Sequence, residues 1–111
     1  MARRADGCRG GEVRDHGLDR ARQMLEAGLE ELGLSEAELA DLRKGDWRKG
    51  LIGWLIRSET VVGLDWIRQL LRMGDRSYCC RVVAQVGHRA ASERRLKVLA
   101  ARIREKTKNH D

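Results

Sequence analysis

Ser77, Tyr78, Arg81 and Gln85 offer hydrogen-bonding groups within one short helical stretch. At about 100° per residue, Ser77, Arg81 and Ala84 share a face, flanked by Tyr78 and Gln85. Cys79, Val82, Val83 and Val86 share the opposite face. A polar front on an apolar back lets a helix rest on a core while its exposed side reads base edges in the major groove. Arg81 is best suited to such an edge, because a guanidinium can bond two acceptors on guanine. An ordinary surface helix has the same pattern. Lys44, Arg48 and Lys49 cluster at the start of an earlier helix, and Arg76 opens this one. Cations there can hold phosphates and set register, and backbone amides at a helix start suit phosphate too.

Other chemistry is poorly provided for. Cys8, Cys79 and Cys80 have neither a disulfide-framework pattern nor zinc-ligand spacing. Cys79 reads as a small core residue and Cys80 as a partly exposed thiol. His16, His88 and His110 stand apart from acid-base partners. No catalytic residue, metal or cofactor is expected.

The elements that must position the polar front read as helices. Proline and phenylalanine are absent from the sequence, strand-like alternation is scarce, and an all-α bundle of five to six helices follows. Leu18, Ala21, Leu25, Leu29 and Leu32 form a helical stripe that Gly33 stops. Ser35 and Glu38 form a capping-box pattern opening a short helix through Leu42. Asp46 can cap a helix running to about Ser58, apolar on most sides and therefore central. Its Gly50 and Gly53 share a face that a neighbouring helix can approach. Residues 64–72 form the next helix, with Trp66 as a core anchor. A Met73-Gly74 turn leads into the helix bearing Arg81, which is expected to end near Val86. This pair is a candidate helix-turn-helix. A last, basic helix runs from about Ser92 to Lys106.

The formal charge of +6 is unevenly spread: residues 17–42 carry −5 and residues 43–111 carry +10. A basic body of this kind attracts a polyanion. No apolar run approaches a membrane span, so no membrane partner is expected and the default location is cytoplasmic, nucleoid-associated if DNA-bound. Residues 1–16 read as a flexible lead-in, 17–90 as the helix-turn-helix domain and 91–111 as a basic helix and tail.

The stretches GLEELGLSEAEL (28–39), KGDWRKGLIGWLIRSETVVGLDWIRQLLRMG (44–74) and SYCCRVV (77–83) resemble the C-terminal region of REP-associated tyrosine transposases. That region is similar to the DNA-binding C-terminal domain of the replication initiator DnaA, a Trp-repressor-like helix-turn-helix. Lys44, Gly45, Asp46, Arg48, Lys49, Thr60, Trp66, Ile67, Met73 and Gly74 carry the match in order and spacing. Trp47 stands where the family usually has Pro, and Gly63 where it has a hydroxyl cap. Arg68 replaces a small residue at the contact between the two helices, so it must snorkel outward or splay the pair. The family's nuclease domain, with its His-hydrophobic-His metal pair and tyrosine nucleophile, has no counterpart in this sequence. The resemblance therefore implies double-stranded DNA binding without catalysis, by Ser77, Tyr78, Arg81 and Gln85 toward bases and Lys44, Arg48, Lys49 and Arg76 toward phosphates. It leaves room for a separate transposase catalytic chain or a homodimer as partner. The alternative reading is a protein-interaction module, in which the acidic face of 18–42 and the basic final helix pair with a partner or another copy.

Overall fold

A computed structural model describes the backbone of residues 10–108 and the side chains of residues 17–108. The described chain is all-α. Its helices are α1 (Gly10–Leu32), α2 (Glu36–Asp41), α3 (Trp47–Glu59), α4 (Leu64–Leu71), α5 (Arg76–Ser92) and α6 (Arg94–Lys108).

α1 starts at Gly10 rather than near Leu18, so residues 10–16 of the expected lead-in are helical; residues 1–9 lie outside the described residues. Once the apolar stripe anchors a helix, each added residue gains a hydrogen bond without a new nucleus. The segment Glu12 to His16 holds no breaker to stop that growth. At its other end Gly33 adopts φ +70°, and the Leu34 N–H reaches back 3.0 Å to the Leu29 carbonyl. This is the bonding pattern of a Schellman stop.

Ser35 and Glu38 form the full capping box before α2: Ser35 Oγ accepts from the Glu38 N–H at 3.1 Å, and Glu38 Oε1 accepts from the Ser35 N–H at 2.8 Å. Asp46 caps α3 by accepting the Arg48 N–H at 2.9 Å.

α3 is the central element, packed against α1, α4, α5 and α6. Leu51, Ile52, Leu55 and Ile56 are fully buried. Two glycines let α5 press against its backbone. A Cβ at Gly50 would lie 2.5 Å from Val86 Cγ2, and one at Gly53 3.1 Å from Val83 Cγ2. Real Cβ atoms do not tolerate the first of these distances, so Gly50 is a packing requirement.

α5 does not end at Val86. It runs through Gly87 and His88 to Ser92, and the break falls at Glu93. Gly87 acts here as a packing residue, since a Cβ would come within 2.7 Å of the Trp54 indole. α6 then folds back along α1 with Leu96, Ala100 and Ile103 buried. Its outer charges meet the acids facing them. Lys106 bonds Glu30 and lies 3.4 Å from Glu31, Arg102 lies 3.9 Å from Glu31, and Arg104 Nε donates to Glu59 at 2.9 Å. The acidic front and basic end of the chain thus neutralise one another along this seam. Among the described residues no helix is long and apolar enough to cross a membrane.

Candidate nucleic-acid interface

The helix-turn-helix is built by α4, the turn 72–75 and α5. Arg72 takes the left-handed conformation at φ 54°, and the Met73 N–H closes back on the Arg68 carbonyl at 2.9 Å. Gly74, at φ +84°, supplies the second left-handed residue, at no Cβ cost. Met73 is fully buried beneath the turn, its sulfur 3.8 Å from Cys79 Sγ. Burial pushes the Cys79 thiol pKa up, consistent with a packing role, whereas Cys80 is exposed. Asp75 caps α5 by accepting the Tyr78 N–H at 2.8 Å.

Arg68 resolves the crowding expected of it by reaching outward. Its Nε donates to Asp65 at 3.0 Å and an Nη to the Gly74 carbonyl at 3.4 Å. The hydrogen bond from Arg68 holds the Asp65 carboxyl below the usual range. The bulky cation therefore clamps the turn instead of wedging the helices apart.

α5 presents the two faces expected. Cys79, Val82, Val83 and Val86 are buried, while Ser77, Tyr78, Arg81 and Gln85 are exposed. The Arg81 guanidinium lies 5.7 Å from the Tyr78 ring centre, near enough for a cation–π contact. Tyr78 leans toward the loop before α3: a Cβ at Gly45 would sit 2.5 Å from its hydroxyl. Lys44 extends along the turn, its Cδ 3.2 Å from where a Gly74 Cβ would be. Lys44, Gly74, Asp75, Tyr78 and Arg81 line a hollow of about 280 Å³. Across Tyr78 a second hollow of about 660 Å³ is edged by Arg43, Lys44 and Arg89. Arg76 is exposed in the first turn of α5.

The expected phosphate contacts do not all gather here. Lys49 is buried at 1% exposure, and its Nζ donates to the Arg72 carbonyl at 3.1 Å and the Ala40 carbonyl at 3.3 Å. These carbonyls lie at the ends of α4 and α2, where helix carbonyls lack intrahelical partners and the dipole favours a cation. The expectation of a phosphate contact from Lys49 is corrected accordingly: its ammonium is committed inside the fold. Desolvation lowers its pKa, with Asp46 acting against the shift.

Arg48 turns back on its own cap. Its Nε and Nη2 donate to the two Asp46 carboxylate oxygens at 2.9 and 3.0 Å. That pair holds the Asp46 carboxyl below its ordinary range. Arg48 also lies over Trp47 and lines a different groove, with Arg94 and Arg95. The structure brings Lys44 to the α5 front but leaves Arg48 and Lys49 elsewhere.

Two cations join the front without having been singled out from sequence, Arg43 and Arg89. Arg89 falls four residues after Gln85 on the same stripe, a signal hidden by ending the helix at Val86. It pairs with Glu93 at 2.8 Å. Among the described residues no group of His, Cys, Asp and Glu could hold a metal ion. No family model matches the chain, and no curated protein or solved structure matches it.

Proposed function

We propose that the chain is a non-catalytic module that binds double-stranded DNA through α4 and α5, in the manner of a transposase-type C-terminal domain. The observation that supports this reading best is the exposed row Ser77, Tyr78, Arg81 and Gln85 on a helix whose other face is buried. Such a helix can enter a major groove without giving up its core contacts. Lys44 and Arg76 flank the row and would take phosphates on either side, with Arg43 beside them. The resemblance to the transposase and DnaA domains supports the same role for this pair of helices. A cytoplasmic, nucleoid-associated location follows from that role.

Fluorescence anisotropy with a random duplex and with a duplex selected from a random library tests the reading. Tight binding of the selected duplex and weaker, strongly salt-dependent binding of the random one is the expected result. Absence of duplex binding at low salt overturns it.

A further inference from the structure

A second groove lies away from the α5 front, where the end of α1, the start of α3 and the first turns of α6 meet. Its volume is about 580 Å³. Trp47, Leu99 and Val98 form an apolar floor, and Val98 is 39% exposed. Arg94, Arg95 and Arg102 stand on its rim. Arg94 and Arg95 form no ion pair among the described residues, and Arg102 is 65% exposed with only a 3.9 Å approach to Glu31.

We propose that this groove docks an acidic peptide segment of a partner protein, one that places an apolar side chain on Val98 and Leu99 and carboxylates against Arg94, Arg95 and Arg102. Charge and shape select this occupant. Guanidinium groups bind carboxylates in a fork of parallel bonds, and arginines around an apolar floor suit an amphipathic acidic segment laid in a groove. Further along, α6 already meets acids, with Arg104 at Glu59 and Lys106 at Glu30 and Glu31. A sugar-phosphate strand has no side chain for the apolar floor. Base stacking on Trp47 is also disfavoured, because Arg48 and Arg95 already lie over its ring at 5.9 and 6.0 Å. The exposed floor suits a peptide better than a small molecule, which needs most of its surface enclosed.

The test uses the full chain and two labelled peptides of equal length. One carries Glu with Leu at i, i+4 spacing and the other is all Glu. Anisotropy should show saturable binding of the first and much weaker binding of the second. Arg94→Glu with Arg95→Glu should weaken the first roughly tenfold, and Lys97→Glu with Lys108→Glu, an equal charge change at exposed α6 residues that do not line the groove, should leave it intact. Both variants change exposed residues, and circular dichroism checks that they fold. Equal binding of the two peptides, or equal loss on the Lys97→Glu, Lys108→Glu control, overturns the proposal. So does a double variant that loses duplex DNA affinity but keeps the peptide, which would mark a nucleic-acid groove. A concentration-dependent dimer in sedimentation that the double variant dissolves would assign the groove to a second copy and overturn it as well. None of these readings depends on the α5 front binding DNA.

Discussion

Lys49 ties three helices together with one ammonium. It leaves α3 and satisfies the terminal carbonyls of α2 and α4. Lys49→Met keeps the length of the stem and removes the donor. Leaving buried acceptors unpaired costs about 1–3 kcal/mol, so a urea melt should show that loss while the salt dependence of DNA binding stays unchanged. Arg81→Ala should do the reverse. It is exposed, so stability should move by less than about 0.5 kcal/mol, while discrimination between selected and random duplex should fall by about 1–3 kcal/mol. An equal loss on both duplexes would remove Arg81 from base reading. Asp46 adds a pH dependence. Its folded pKa is lowered by Arg48, so the unfolded chain, titrating near ~3.9, takes up the proton first. Its contribution is complete above that value and is lost as pH falls through the lowered folded one. Asp46→Asn should therefore flatten the acid limb of stability against pH in urea melts. In the sequence, Lys44, Arg48 and Lys49 look alike, a basic cluster at a helix start. What separates them is which helix ends pass over them, and that is set by contacts with residues as distant as Arg72.

A close approach of some helix to α3 is legible in the sequence, because Gly50 and Gly53 are spaced to share a face on an otherwise apolar helix; that the neighbour is α5 comes from the contacts of Val83 and Val86. The end of α5 is not legible there. Gly87 has the composition of a stop, and only the Trp54 indole lying against it shows why the helix continues. Glycines of one type therefore carry opposite predictions. Gly50→Ala should lose stability by about 1–3 kcal/mol through overpacking against Val86, which outweighs the gain of up to about 1 kcal/mol in helix propensity. Gly63 caps α4 with no side-chain bond and has nothing within 4 Å of an added Cβ. Gly63→Ser should instead raise stability by a few tenths of a kcal/mol. Chemical denaturation of the two variants side by side checks both signs.

The net charge of +6 overstates the cationic surface that a duplex would meet. α6 is the most basic element, yet Arg104 and Lys106 are turned to acids of α3 and α1. Lys49 is internal and Arg48 is bound to Asp46. Arg89, also at the α5 front, is paired with Glu93, which leaves Lys44, Arg43, Arg76 and Arg81 as a local patch on a molecule whose opposite charges largely cancel. Binding that depends on such a patch should respond to where a lysine sits rather than to total charge. Each phosphate contact contributes about −0.9 to the slope of log Kobs against log salt. Lys44→Ala should therefore reduce the steepness of that slope by about 1 and weaken selected and random duplexes alike. Lys106→Ala removes the same unit of charge at the α1–α6 seam. It should leave the slope unchanged and cost little stability, as exposed ion pairs do. Equal changes in slope from the two substitutions would mean that DNA responds to net charge alone, and the α5 front would lose its claim to be the site.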